Sequence, residues 1–320
     1  TVGIVQTPQV FDYHPEFNWV QRSSGAVQQL FYRYVQPSRD RVDGAICVGT
    51  NAVYRRAALE HSEGFAQIAH SEDVHTGVNM IRAGFVVRYV PLALAKGLCP
   101  DTFGGYVNMV YRWCTGSMSL MLDPRFHAAP LKPAQRACFW TGFSYYLASA
   151  LSAITALVPG MIMAWFFPQH VKPTNILPLL PSLIGSMVIL PALFGTSTRV
   201  LELIRLNMVS SYCFFFSVFD LLRRKSAAWV PTGAATRNTV ETRVRAALIW
   251  WGGAMELLMW GGVVRGIWTY GIERFWVMTL LAAVTSAAYL PLVFPNYGLR
   301  SRAARATATV QTEVPVAVSA

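Results

Sequence analysis

Charged residues are scarce in this 320-residue chain. Asp, Glu, Lys and Arg make up 13% of it, whereas soluble globular proteins carry about 25%. Apolar residues, in contrast, reach 53%. This composition argues against intrinsic disorder, a collagen-like fibre and an ordinary soluble enzyme that fills the whole chain.

Cysteine pairs with metal-binding spacing are also missing. The five cysteines show no C-x-x-C spacing and no histidine partners at zinc spacing. Free thiols in a cytosolic or membrane setting are therefore predicted. A signal-peptide pattern is absent too, and the chain starts at Thr1 directly before a strand-like run. We expect a fragment that begins within a domain.

Positive charge is in excess and unevenly distributed. Residues 1–140 carry 13 basic and 10 acidic side chains, a net charge of +3, and residues 141–320 carry 14 and 6, a net charge of +8. The second part also contains uncharged runs of the length that a bilayer requires. Basic residues that flank apolar runs are typical of the cytoplasmic loops of a membrane protein. Nucleic-acid binding is disfavoured, because the basic residues are not gathered into one patch.

The first 100 residues alternate between strand and helix patterns. Three strands and two helices are predicted, at Val2–Val5, Ala45–Val48 and Phe85–Val90 and at Gly25–Val35 and 72–84. Ser71 is the candidate N-cap of the second helix. This order predicts an α/β layer fold. Residues 101–140 show a helical pattern with dispersed Trp and Arg, which predicts interfacial helices.

Four membrane spans are predicted, at Phe143–Phe167, Ile176–Phe194, Ala246–Val264 and Phe275–Phe294. The run Leu206–Leu222 is ambiguous, because it holds Asn207, three serines and Asp220. If this run crossed the membrane, the six basic residues between positions 223 and 245 would lie outside the cytoplasm, against the positive-inside rule. We therefore predict an interfacial helix at 199–224 and a loose tail at 296–320. Five spans with an external C terminus remain the alternative.

Two adjacent carboxylates, Glu72 and Asp73, follow Ser71 at the predicted helix start. Such acids can simply complement the helix dipole. Alternatively, Asp73 can act as a general base that deprotonates an attacking hydroxyl. The dipole would keep Asp73 ionised but weaken it as a base, so a neighbouring anion would have to offset that effect.

Three further runs have both a chemical and a structural interpretation. Arg112 can hold a diphosphate and Trp113 can stack on a sugar, or the two can anchor an interfacial helix. The run Cys47–Thr50 brings a strand to Gly49, which permits close backbone approach to a ligand, or it is a plain turn. The run Trp229–Gly233, taken alone, is typical of a turn.

Taken in order over residues 1–295, these runs resemble the family 2 membrane glycosyltransferases of the cellulose synthase group. Ser71-Glu72-Asp73 is similar to the family's Thr-Glu-Asp motif, and Met109–Trp113 to its Gln-x-x-Arg-Trp motif. Cys47–Thr50 resembles its Phe-Cys-Gly-Ser run, and Val5–Gln9 its Gln-Thr-Pro segment. Trp229–Gly233 is loosely similar to its gating loop, Phe-x-Val-Thr-x-Lys.

The resemblance implies a fold and a reaction. Residues 1–100 would be the C-terminal part of an α/β GT-A glycosyltransferase domain, followed by an all-α transmembrane region at 141–295 with a gating-type loop at 225–244. The implied reaction is inverting transfer from a UDP-linked nucleotide sugar to a growing polysaccharide or other glycan acceptor, with export as a further possibility. The implied location is a plasma membrane, crossed several times, with the catalytic domain in the cytoplasm. The excess of Arg over Lys, 23 to 4, would suit a bacterial source.

The same resemblance implies roles for individual residues. Asp73 would be the catalytic base, with Glu72 beside it in the catalytic motif. The nucleotide would be bound by Arg112, Trp229 and Thr232. The acceptor would be lined by Trp113, Gly49, Thr50 and Cys47.

Two departures from the family pattern leave an alternative open. The Asp-x-Asp motif that holds the divalent cation, Mg²⁺ or Mn²⁺, is absent and expected upstream of Thr1, so this fragment alone is expected to be inactive. Met109 replaces the motif glutamine, and a thioether cannot donate hydrogen bonds. A catalytically degenerate membrane scaffold or translocation subunit is therefore the alternative. A transporter is disfavoured, because Glu256 is the only ionisable group well inside a predicted span.

Overall fold

The computed structural model describes residues 1–11, 16–189, 199–225, 227 and 239–294. The strands are β1 (Val2–Gln6), β2 (Gln9–Phe11), β3 (Ala52–Tyr54), β4 (Val86–Tyr89) and β5 (Ala95–Gly97). The helices before residue 130 are α1 (Trp19–Leu30), α2 (Gln36–Asp40), α3 (Arg56–His61), α4 (Glu72–Arg82), α5 (Phe103–Leu122) and α6 (Pro124–His127). The later helices are α7 (Pro133–Thr155), α8 (Val158–Phe166), α9 (Leu180–Ile184), α10 (Val200–Leu222), α11 (Thr239–Ala247), α12 (Gly253–Tyr270) and α13 (Ile272–Val293).

The first part of the chain is a layered α/β unit, as the sequence predicted. Its larger sheet has the strand order β3-β1-β4, with β1 parallel to β4 and antiparallel to β3. The smaller sheet pairs β2 with β5 in parallel. Ile4 and Val87 of the larger sheet are fully buried with Met80 of α4, which fixes α4 against this sheet.

The predicted strand at Ala45–Val48 does not form, and this prediction was wrong. The segment is buried but is not part of a β-ladder. Side-chain amides take the place of a neighbouring strand: Gln36 accepts from the Ile46 N–H at 3.1 Å and donates to the Ile46 carbonyl at 2.7 Å. Gln6 likewise accepts from the Val48 N–H at 2.9 Å. The buried backbone is thus hydrogen-bonded without strand pairing.

Helix α4 starts and ends where the sequence predicted, but its start is not capped as expected. Ser71 occupies the N-cap position in the left-handed region, with φ of 54°, and its side chain makes no capping hydrogen bond. Its hydroxyl instead donates to the Arg112 carbonyl on α5, at 3.5 Å. The helix ends at Arg82, and Gly84 turns the chain with φ of +85°.

The second part of the chain is helical where it is described, and the described residues include four helices long and apolar enough to cross a membrane. They are Pro133–Phe166, Val200–Leu222, Thr239–Tyr270 and Ile272–Val293. Three of them contain predicted spans. The predicted second span, Ile176–Phe194, is not one long helix where it is described, because 3₁₀ turns at 173–179, α9 and a π-helical turn at 185–189 follow one another. Proline at 178 and 181 interrupts regular helical bonding there.

Helix α10 is the fourth candidate, although the sequence predicted it as interfacial. It packs against α5, α7 and α1, and most of its polar side chains are buried, among them Glu202, Ser210 and Asp220, whereas Asn207 is exposed. A single cluster of buried apolar residues runs through all of these elements, among them Trp19, Val107, Phe139 and Val209. The predicted tail at 296–320 lies outside the described residues, as does most of the predicted gating-type loop.

Candidate active site

The two carboxylates of the first motif lie side by side in the first turn of α4. Glu72 is exposed, and Asp73 is partly buried. Asp73 Oδ1 accepts a hydrogen bond from the Val74 N–H at 2.8 Å. The second carboxylate oxygen, Oδ2, points towards the turn at Gly49. One oxygen of the Asp73 carboxylate is therefore fixed by a hydrogen bond, and the other faces the adjacent turn.

The turn at Gly49 makes the closest approach to this carboxylate. Gly49 has φ of +75°, and a Cβ atom at this position would lie 2.9 Å from Asp73 Oδ2. Gln6 fixes the turn, because its side chain donates to the Thr50 carbonyl at 2.6 Å and accepts from the Val48 N–H. The predicted acceptor residues Gly49 and Thr50 therefore adjoin the predicted base.

Cys47 lies behind this turn and is fully buried. Its Sγ lies 3.0 Å from the Tyr54 hydroxyl oxygen. Burial raises the pKa of the Cys47 thiol, and the nearby Asp73 carboxylate raises it further. Burial likewise raises the pKa of Tyr54 well above its ordinary value. Both groups therefore stay protonated and neutral at the edge of the site.

Helix α5 brings the Arg-Trp motif to the same place. It crosses the start of α4 so closely that a Cβ atom at Gly116 would overlap with Ser71 Oγ. Burial lowers the pKa of the Arg112 guanidinium, and the carboxylates of Glu72 and Asp73 act in the opposite direction. Trp113, the next residue, is 36% exposed. The structure thus brings together Asp73, Glu72, Arg112 and the Gly49 turn, with an accessible indole alongside.

The pKa of Asp73 is raised to about 6. Burial is the largest cause, and the negative charge of Glu72 adds to it, whereas the Val74 N–H and the Arg112 guanidinium lower the pKa. An acid with this pKa is mostly ionised at neutral pH yet is a stronger base than an ordinary aspartate. The sequence predicted that a neighbouring anion would offset the helix dipole. Glu72 contributes in that sense, but burial is the larger effect.

Two predicted nucleotide contacts, Trp229 and Thr232, lie outside the described residues. Among the residues that the structure describes, no group of three or more His, Cys, Asp or Glu side chains could hold a metal ion. Asp73 and Glu72 alone do not provide the ligands of a divalent cation. The described residues therefore do not fit a complete Mg²⁺ or Mn²⁺ site.

Three side chains near the motifs carry no role in the sequence-based prediction. Gln6 holds the Gly49 turn; it belongs to the run that resembles the family's Gln-Thr-Pro segment, for which no role was predicted. His70 directly precedes Ser71, Tyr111 occupies a variable position of the Met109–Trp113 motif, and both contact the backbone of Ala227. A buried polar residue inside an apolar run, such as Gln6, is the sequence signal that could have found the first of them.

Comparison with known proteins gives the family. The profile of the family described as "Glycosyl transferase family group 2" matches residues 1–196. "Cellulose synthase 1" of Komagataeibacter xylinus is 25% identical over 317 residues, covering 89% of this chain and 20% of the relative. "Cellulose synthase 1 catalytic subunit [UDP-forming]" of the same organism is 26% identical over 226 residues, covering 68% of this chain and 28% of the relative.

A third relative, "Cellulose synthase catalytic subunit [UDP-forming]" of Xanthomonas axonopodis pv. citri (strain 306), is 28% identical over 149 residues, which is 45% of this chain and 20% of the relative. The matched part of the chain thus spans 20% to 28% of the length of these relatives. With the α/β domain, the motif residues in one place and the apolar helices that follow, the chain belongs to the family 2 glycosyltransferases and is cellulose synthase-like.

Proposed function

We propose that the full-length protein is an inverting glycosyltransferase that moves a sugar from a UDP-linked nucleotide sugar to a growing polysaccharide or other glycan acceptor. Membership of the family supports glycosyl transfer. The relatives named "[UDP-forming]" support the choice of UDP. The four apolar helices fit a membrane protein, and passage of the product through the membrane is part of the proposal.

The observation that carries the proposal is the position and pKa of Asp73. A carboxylate with a pKa raised to about 6 lies against the Gly49 turn, where a Cβ atom would meet its Oδ2 oxygen at 2.9 Å. A general base must lie within hydrogen-bond reach of the proton that it removes and have a pKa near the working pH. Asp73 fulfils the second condition, and its position beside the predicted acceptor residues Gly49 and Thr50 supports the first.

The reaction then proceeds in a single displacement. Asp73 takes the proton of the acceptor hydroxyl as its oxygen attacks the anomeric carbon. The bond from that carbon to the diphosphate oxygen breaks, and its electron pair leaves with UDP. Arg112 offsets the negative charge that develops on the diphosphate, and Trp113 offers a flat apolar face for a sugar ring. Trp229 and Thr232 remain predicted contacts to the nucleotide.

The alternative, a degenerate scaffold, had its support in Met109. This side chain is 6% exposed and belongs to the packed apolar core between α5 and its neighbours. The departure from the family glutamine therefore lies in the core and leaves the described polar site intact. This favours the enzyme over the scaffold.

The proposed location is a bacterial plasma membrane, with the α/β part in the cytoplasm. A reporter fused after Ala320 tests the topology. With the four spans predicted from the sequence, at 143–167, 176–194, 246–264 and 275–294, we expect activity of a cytoplasmic reporter. Activity of an external reporter alone would contradict that set of four spans. The proposed partners are the nucleotide sugar, the glycan acceptor and the lipid bilayer, with no nucleic acid.

The central test uses the full-length protein in isolated membranes with radiolabelled UDP-sugars. We expect incorporation by the wild type, and loss of turnover with retained UDP binding in Asp73→Asn. A matched control is Asp123→Asn, because Asp123 accepts from the Arg125 N–H at the start of α6 and an asparagine oxygen can do the same. Turnover retained in Asp73→Asn would remove Asp73 as the base.

A further inference from the structure

Gln6 is a buried amide whose hydrogen bonds are directed at the turn around Gly49. It is the last residue of β1 and is fully buried. Its Nε2 donates to the Thr50 carbonyl at 2.6 Å and to the Thr7 carbonyl at 2.8 Å, and its Oε1 accepts from the Val48 N–H at 2.9 Å. Both donor hydrogens and the acceptor oxygen of the amide are thus used. Gln6 therefore holds the turn on both sides of Gly49.

The backbone of this turn has a conformation that needs such outside contacts. Gly49 and Asn51 lie in the left-handed region, with φ of +75° and 56°. A residue with a side chain seldom adopts this region, although asparagine does so more readily than most. The Asn51 carbonyl accepts from the Thr7 N–H at 3.0 Å, which ties the far side of the turn to the chain after β1. The near side is held by the hydrogen bonds of Gln6.

The same turn covers one side of Asp73. A Cβ atom at Gly49 would lie 2.9 Å from Asp73 Oδ2 and 3.3 Å from Asp73 Cβ, so the backbone of the turn is packed against this side chain. Burial is the largest cause of the raised pKa of Asp73. A turn that moved away from Asp73 would admit water to the carboxylate and lower that pKa.

We propose that Gln6 is a positioning residue for sugar transfer, which holds the Gly49 turn against Asp73 and shields the carboxylate from water. This inference rests on the proposed function. The turn also carries Thr50, which with Gly49 is predicted to line the acceptor. Gln6 thus sets the distance between the acceptor and the base. Loss of its amide slows the chemical step, whereas binding of the diphosphate, assigned to Arg112 on α5, stays nearly unchanged.

Gln36 supplies a matched control in the same segment. It is fully buried too, and it accepts from the Ile46 N–H at 3.1 Å and donates to the Ile46 carbonyl at 2.7 Å. Gln6→Met and Gln36→Met each keep the length of the side chain and remove a buried amide that holds this segment. Only Gln6→Met releases the turn beside Asp73.

The first measurement is the pH profile of kcat/KM for incorporation from a radiolabelled UDP-sugar by the full-length protein in membranes. In Gln6→Met, the acid limb should move about one pH unit below that of the wild type, because hydration favours the ionised carboxylate. The kcat should fall about tenfold, and the Kd for UDP should change by less than about twofold. Gln36→Met should keep the wild-type acid limb.

A shift of the acid limb in Gln6→Met has burial as its cause, because neither glutamine nor methionine carries a charge. The titratable and charged groups that interact with Asp73 are unchanged in this variant. They are Tyr32, Cys47, Tyr54, Glu72 and Arg112.

The second measurement needs no turnover. Amide hydrogen exchange, resolved to single residues by mass spectrometry with electron-transfer fragmentation, should be faster at Val48 in Gln6→Met and faster at Ile46 in Gln36→Met. If Gln6→Met does not fold, Gln6→Asn replaces it, since this variant keeps the amide but withdraws it by one methylene. The same directions of change are expected for Gln6→Asn.

An acid limb that stays at its wild-type position without the Gln6 amide would overturn the inference. An equal shift in Gln36→Met, or unchanged exchange at Val48 in Gln6→Met, would overturn it as well. A wild type without turnover of any UDP-sugar would instead refute the proposed function. The exchange at Val48 would then still decide whether Gln6 holds the turn.

Discussion

The pH dependence of turnover is the sharpest test of the role of Asp73, because its pKa is raised from 3.8 to about 6. The base must be ionised to act, so the rate follows its ionised fraction. With a pKa of about 6, that fraction is about 90% at pH 7 and about 10% at pH 5, a ninefold to tenfold fall in kcat/KM. With the ordinary pKa of an aspartate, the rate would change by less than about 10% over the same range.

The assay measures initial rates of sugar incorporation from a UDP-sugar in membranes that contain the full-length protein, between pH 4.5 and pH 8. The diphosphate of a nucleotide sugar is esterified at both ends and does not titrate in this range. In Glu72→Gln, the acid limb should move to lower pH, because the charge of Glu72 raises the pKa of Asp73. A wild-type rate that stays constant down to pH 5 would refute the assignment of Asp73 as the base.

Three further predictions concern single side chains. Gly49→Ala should abolish turnover, whereas Gly64→Ala should not. Both glycines have positive φ, but only a Cβ atom at Gly49 would lie against Asp73. Equal rates in the two variants would contradict the predicted close approach of Gly49 to Asp73. Asp73→Asn should stabilise the full-length protein at pH 7.5 by about 3 kcal/mol, because a pKa raised from 3.8 to about 6 means that ionisation of Asp73 is disfavoured in the folded state. The gain should vanish below pH 4, and a gain independent of pH would refute this cause. Arg243→Lys should destabilise the protein by about 2 kcal/mol through the loss of the bidentate pair with buried Asp220. Arg245→Lys should cost less, about 1 kcal/mol, because it weakens an i,i+4 pair with Glu241 and a contact of the guanidinium with the Phe103 ring. Thermal unfolding in detergent measures both, and similar shifts would contradict the argument.

Local sequence patterns predicted the elements whose partners lie nearby. Val2–Val5, the helix after Ser71 and the strand before Pro91 all formed, because alternation, end signals and length agreed for each of them. Ala45–Val48 shows the limit of this approach. Its apolar run is buried as expected, but its backbone bonds go to the side chains of Gln6 and Gln36. Such distant partners leave no periodic signal in the segment itself.

The site shows the same limit. The motifs identified Asp73, Glu72, Arg112 and Gly49, and the structure places all four in one region. Their spacing in sequence did not indicate that α5 crosses the start of α4, with Gly116 packed on Ser71. Because Gly116 has no side chain, the two helices approach closely there, and Arg112 lies near the carboxylates. It also could not reveal that burial, rather than Glu72, is the main cause of the raised pKa of Asp73.

The contacts of α10 bear on whether this helix crosses the membrane. By length and composition, α10 can cross a membrane. However, one of its ends is attached to α1 of the α/β part, and the other is attached to α5, the helix that carries Arg112. Glu202, near its start, pairs with Arg22 of α1, and Asp220, near its end, accepts from Tyr111 of α5. Eighteen residues separate these two carboxylates, about 27 Å along the helix axis. A crossing helix would carry its ends to opposite sides of a hydrocarbon layer of about 30 Å. Glu202 is tied to the α/β part and Asp220 to the helix that carries Arg112, and the proposed site has to meet a water-borne nucleotide. The two attachments therefore favour a helix that lies along the cytoplasmic interface.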